Sequence, residues 1–166
     1  HELAKFYTVA KDSKIQITFN PNKVDSYRLI GYENRSLNND DFTNDSIDAG
    51  EIGSSQTITA LYELVLLDVQ NAEKYAQFDF RYKKPDASAS RLIAHEINAA
   101  PKTINEASEN MRFAASVAGL GLMLKESEYK SSIATQQNHD LGENALPFAP
   151  NNYRKDFIEL VKGWNP

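Results

Sequence analysis

Apolar and polar positions alternate through the first two-thirds of the chain. Ile15, Ile17 and Phe19 alternate with Lys14, Gln16 and Thr18, the period of a half-buried strand, and Asn20-Pro21 stops the run. Tyr27 and Leu29, with Gly31 continuing the register, predict a second strand. A glycine inside a strand marks a bulge or a close backbone approach. Residues 57–67 are β-branched at the start and apolar at the end, and they predict a third strand. Phe78, Phe80 and Tyr82 alternate with Asp79 and Arg81 in a fourth, closed by Lys84-Pro85-Asp86. Arg91 to Ile97 supply a fifth.

The period then changes. Between about 106 and 127, Met111, Val117, Leu120 and Leu124 recur at helical spacing. Ala114, Ala115, Ala118, Gly119 and Gly121 leave little bulk on part of this helix, so another backbone is expected close by, and the sheet is the expected neighbour. Glycine costs roughly 1 kcal/mol against alanine inside a helix, which close packing would offset. Residues 151–164 predict a second amphipathic helix with Tyr153, Phe157, Val161 and Trp164 on one face. The polar stretch from Ser131 to Asn144 between them reads as a loop with a short helix. Strands at about 13–97 followed by helices indicate an α+β fold. Its expected form is an antiparallel β-sheet or sandwich packed by two C-terminal helices in one domain, 1–166.

Composition narrows the function classes. The 166 residues are 41% hydrophobic and 25% charged, an ordinary globular balance. Eighteen Lys and Arg against 23 Asp and Glu give a net charge of −5, which provides no general attraction to a phosphate backbone. Nucleic acid is therefore not an expected partner. With no cysteine, disulfides, thiolate metal sites and cysteine nucleophiles are all excluded. The longest strongly apolar run, Phe113 to Leu124, is shorter than the ~20 residues of a spanning helix, so no membrane span is expected in this segment. The sequence begins at His1 without a leader, as expected of a C-terminal module of a longer chain with any targeting signal upstream.

Several constellations invite chemistry. Asp40, Asp45, Asp48 and Glu51, with Asp41 and neighbouring asparagines, offer hard oxygen donors suited to calcium. No register fits the EF-hand loop, and a solvated turn accounts for the same residues, because Asn, Asp and Gly dominate turns for conformational reasons. Asp86-Ala87-Ser88-Ala89-Ser90 matches the Asp-x-Ser-x-Ser metal motif of von Willebrand type A domains. Here, however, Lys83-Lys84-Pro85 brings in a turn where that motif needs a buried strand. His95-Glu96 lacks the second histidine of a zincin, since position 99 is Ala99. His139-Asp140 has no nucleophile elbow beside it. No catalytic or cofactor-binding residue is assigned, and the chain reads as non-enzymatic. Tyrosines 27, 32, 62, 75 and 82 fall on or beside strands, where they suit either sheet packing or a sugar platform. Tyr32, Glu33, Arg35 and Tyr62 are the candidates for contacting a partner. Glu33 and Arg35 would share a strand face, joining Arg28 and Glu63 in a cross-strand charge ladder.

The blocks Tyr27 to Arg35, Asp48 to Gly53 and Thr57 to Glu63, then Arg81-Tyr82-Lys83, Arg112 to Ala115 and Phe157 to Lys162, carry a resemblance. In that order they resemble the C-terminal domain that follows a von Willebrand factor type A domain in bacterial envelope proteins of the YfbK type. Ala10 to Pro21 resembles the start of the same domain. One departure is Ser55-Gln56-Thr57, where the family pattern reads Gly-His-Thr. The resemblance supplies no catalytic or binding residues. It implies an upstream type A domain as partner, a cell-envelope location and an accessory role in contacting a protein partner. The alternative is a domain that binds a glycan or calcium through strand tyrosines or the acidic loop.

Overall fold

The computed structural model describes residues 7–31, 39–68, 73–125, 127, 135–145 and 152–163. The chain divides into two compact units, His1–Ala99 and Ala100–Pro166. The fold is α+β, with antiparallel strands in the first unit and helices in the second.

Among the described residues the first unit holds six strands: β1 (Thr8–Phe19), β2 (Val24–Ile30), β3 (Gly50–Gly53), β4 (Leu61–Leu66), β5 (Ala76–Lys83) and β6 (Arg91–Ile97). Four form an antiparallel sheet in the order β3-β1-β5-β6, while β2 and β4 pair separately. Strand β1 is longer than its alternation predicts because it bends. Asp12 adopts a left-handed backbone (φ 50°) where the pairing with β5 slips between Lys11 and Lys14. Aspartate tolerates that conformation better than most residues, and the bulge falls where the stretch of β1 paired with β3 gives way to the stretch paired mainly with β5. Phe19, at the far end of β1, touches Tyr27 of β2 (centroids 4.5 Å apart) and Tyr62 of β4 (5.4 Å). These rings join the two sheets.

Some boundaries move from the sequence reading. Gly31 does not continue β2; it ends the strand with φ 75°, a conformation glycine adopts without steric cost. Strand β4 begins at Leu61 rather than at residue 57. A positive φ at Ser55 and an unpaired stretch precede it. The short β3, which pairs with the first half of β1, emerges from what read as a connection.

The second unit contains α1 (Glu109–Leu124), α2 (Thr135–Glu143) and α3 (Tyr153–Gly163). Ser108 caps α1 by accepting from the Met111 amide at 3.2 Å. The buried stripe of α1 differs from the expected one. Met111, Val117 and Leu124 are exposed, and the face turned inward carries Phe113, Ser116 and Leu120. The cause is the small-residue patch. A Cβ on Gly119 would stand 2.4 Å from Asn138 Oδ1, so what occupies the space beside Gly119 is a side chain of α2 and not a neighbouring backbone. On α3 the inward residues are Phe157, Ile158 and Val161, and Tyr153 points to solvent. Trp164, expected on the same face, lies outside the described residues. Phe113 meets Phe157 edge-on at 5.3 Å and completes a small three-helix core.

Candidate functional site

The acidic connection after β2 folds around the side chains of neighbouring strands. A 3-10 turn, Asn39–Phe42, buries Phe42, and Arg81 of β5 lies over its ring at 5.4 Å. Beside it, the bulge in β1 delivers Lys14 into the interior. Its ammonium donates to the carbonyl oxygens of Asp41 (3.0 Å) and Asn44 (2.5 Å). Lys83, at the end of β5, donates to the Asp45 carbonyl at 2.8 Å and pairs with the Asp12 carboxylate at 2.8 Å. Asp45 itself accepts from the Ser90 amide at 3.3 Å, and Ser90 Oγ accepts from Arg81 at 2.8 Å. The Asp-x-Ser-x-Ser match is thereby accounted for. Asp86 sits in the turn after β5, and Ser90 anchors a loop.

These contacts bear on the four calcium candidates. Asp40 and Asp48 are exposed, and Asp48 lies within hydrogen-bonding reach of Asp12. Asp45 is held by Ser90, and Glu51 accepts from Thr8 Oγ1 at 3.1 Å. They do not converge on one point. The positive charge at the centre of this loop comes from lysine ammonium groups, which meet backbone carbonyls as a hard cation would.

The electrostatics carry a sign that can be checked. The Lys83 ammonium, first by its hydrogen bond, holds the Asp12 carboxyl below the ordinary aspartate value. Ser90, aided by the charges of Lys83 and Arg81, does the same for Asp45. A carboxylate with a lowered folded pKa stabilises the fold above the unfolded value of about 3.9. That contribution is lost as pH falls through the folded value. Lys83 is shifted upward by Asp12, so its contribution persists until strongly alkaline pH. Thermal melts between pH 7 and 2 should show a drop in Tm that steepens below about pH 4. Asp12→Asn and Asp45→Asn should each lower Tm at pH 7 and flatten that drop. An acid limb equally steep in both variants would assign the loss to other carboxylates.

The strand tyrosines are largely engaged with the sheets. Tyr82 stacks on Phe80 at 5.2 Å, and Tyr75 lies beneath the ammonium of the buried Lys23 at 5.1 Å. Burial, with Tyr27 nearby, pushes the Tyr62 hydroxyl above its ordinary pKa. Tyr32, Glu33 and Arg35 lie outside the described residues. Of the expected charge ladder, Arg28 and Glu63 stand directly opposite each other on β2 and β4 and form an ion pair. A cleft of about 880 Å³ opens at the end of β1, lined by Phe19, Asn20, Asn22, Glu73, Gln77 and Glu96 among others. Its amides are committed internally. Asn20 and Asn22 donate to Glu73 at 3.1 and 3.2 Å, which holds that carboxyl below its usual range.

A second cluster was not evident from the sequence. His139, Asp140 and Glu143 of α2 form the one group of three potential metal ligands within 4.8 Å of one another among the described residues. Spacing of one and four along a helix could have suggested it. The two carboxylates face opposite ring nitrogens of His139, Asp140 at Nδ1 (3.3 Å) and Glu143 at Nε2 (3.5 Å). Lys162 already pairs with Glu143 at 3.1 Å. The two carboxylates are exposed while His139 is buried, so these are contacts of α2 with itself and with Lys162 of α3. His95 stands exposed on β6.

The remaining feature is β6 itself. All seven of its residues are exposed, although residues on a strand alternate between two faces. Leu92 and Ile93 each expose half of their surface, and Ile97 more than a third. Strand β6 has one partner, β5, among the described residues, with seven consecutive pairs and no slip in register.

Comparison with known proteins agrees with the sequence blocks. Residues 4–165 match the family described as "Uncharacterized protein YfbK, C-terminal". The chain belongs to that family. It is 40% identical over 173 residues to a protein of Escherichia coli (strain K12) named "Uncharacterized protein YfbK". The similarity covers 93% of this chain and 30% of that relative, so the chain spans under a third of the relative's length. No solved structure matches the chain. Among the described residues no helix is long and apolar enough to cross a membrane.

Proposed function

We propose that this YfbK C-terminal domain is a non-enzymatic accessory module that supports an upstream von Willebrand type A domain at the cell envelope. Its work is protein contact. The observation that supports this reading is the exposure of β6, an ordered strand carrying Leu92, Ile93 and Ile97 into solvent on both faces. Contiguous exposed apolar surface marks sites of protein interaction. The length of the E. coli relative beyond the matched region provides a covalently attached source of partner surface. The glycan alternative rests on the cleft beside Phe19, whose amides are already paired with Glu73, and so has less support. The calcium alternative meets a loop whose carbonyls are engaged by Lys14 and Lys83.

A thermal melt of residues 1–166, alone and with the separately purified upstream region, tests the proposal. The expected result is a Tm that rises with the concentration of added region, because anything that binds only the folded state stabilises it by mass action. A cooperative transition unmoved by the upstream region would remove the supporting role.

A further inference from the structure

The geometry points to strand addition at the edge of β6 that has no strand beside it among the described residues, with the added strand supplied by the part of the same polypeptide that lies outside residues 1–166. This rests on the accessory-module reading and specifies how the contact is made.

The two edges of the four-stranded sheet are built differently. Strand β3 is short, Gly50–Gly53, and its register with β1 is interrupted twice. Shortness and bulges are how natural sheets blunt an edge against further pairing. Strand β6 has neither device. It runs seven residues in unbroken register with β5 and contains no proline. Its Leu92-Ile93-Ala94 stretch carries no charge. Every second residue of such an edge turns its N–H and C=O outward, a template for another strand. Because Leu92 and Ile93 point to opposite faces and both are half exposed, a strand laid beside β6 would cover apolar surface on each side at once.

The sequence of β6 also restricts the occupant. A second copy pairing antiparallel about Ala94 would set Leu92 against Glu96, Ile93 against His95 and Arg91 against Ile97. Each pair joins an apolar side chain to a polar or charged one, the poorer cross-strand combination. A better partner has β-branched or aromatic residues facing Leu92 and Ile93, and an acid near Arg91. The E. coli relative is more than three times the length of its matched region, so chain outside the domain is available to supply that strand. Covalent linkage would hold it near β6 at high effective concentration.

The test is amide hydrogen exchange over residues 91–97 in the intact full-length protein, with calorimetry on the same sample. All β6 amides, including the alternate ones facing away from β5, should exchange about 100-fold or more slowly than exposed loop amides. That protection should not change on dilution, and the domain should unfold together with the remainder of the chain. Coupled unfolding with fast exchange at alternate β6 amides would overturn strand addition while leaving the accessory reading in place. Independent unfolding of the domain would overturn both. Protection that disappears on dilution would identify a second copy as the occupant, contrary to the proposal.

Discussion

Lys14→Met should destabilise the protein by about 2 kcal/mol, because it removes the buried donor from two part-buried loop carbonyls and leaves the carbonyls in place. Lys14 is 3% exposed, and methionine fills much of the volume of its stem. Deleting an entire buried ionic group together with its partners is often neutral, but removing one side of it is not. The Asp41 and Asn44 carbonyls would keep backbone bonds of 3.3 Å each, from Asn44 and Ile47, in place of a charged donor. The loss should therefore centre on residues 39–50, which would become more sensitive to proteolysis before the strands unfold. Urea titration gives the global figure. Lys11→Met on the same strand is the control, expected to fall within about 0.5 kcal/mol of wild type. Equal losses in the two variants would mean that Lys14 does not hold the acidic loop.

The second large effect lies between α1 and α2, where two substitutions should interact. Ser116 Oγ donates to the Asn138 carbonyl at 2.8 Å, and Asn138 Nδ2 donates to the Ser116 carbonyl at 3.0 Å. Both residues are fully buried. This reciprocal pair fixes the Asn138 side chain, whose Oδ1 fills the space beside Gly119. Gly119→Ala should cost about 1–3 kcal/mol, since the new methyl meets an amide that cannot turn away. Asn138→Ala alone should cost about as much through its lost hydrogen bond. In the double variant the obstacle is gone. Gly119→Ala should then be near neutral, or stabilising by up to about 1 kcal/mol from helix propensity. A coupling energy of about 2 kcal/mol from the four denaturation curves would support this packing. Strict additivity would show that the glycine has another cause.

The strands at 14–19 and 78–82 were legible from a period of two that no helix imitates, although burial does not follow that period, since every residue from Gln77 to Tyr82 is half-buried. The acidic connection was legible as a turn-rich segment. Its organisation was not, because the ammonium groups that order it arrive from residues 27 and 38 positions away in sequence. Lys14 counted as a polar position in the alternation, yet it is more deeply buried than Ile15, which is 48% exposed. Period alone does not distinguish an outward lysine from one that carries its charge inward to carbonyls. The buried stripe of α1 was misread for a related reason. Ser116 and Gly119 have no hydrophobic weight, yet they face the closest neighbour.

The order of strands before helices, the α+β class and the family were determined by the sequence alone. Local periodicity and ordered sequence blocks survive without knowledge of contacts. Tertiary structure decided three other matters. It gave the acidic loop a lysine centre, because the register slip at Asp12 precedes the buried Lys14 and Asp12 pairs with the Lys83 ammonium. It chose the Asn138 side chain of α2 as the neighbour of Gly119, because only assembly reveals which group uses a gap. It left β6 uncovered on both faces while blunting β3, because sheet order, which places a strand at an edge, is set by long-range pairing that no window of sequence contains.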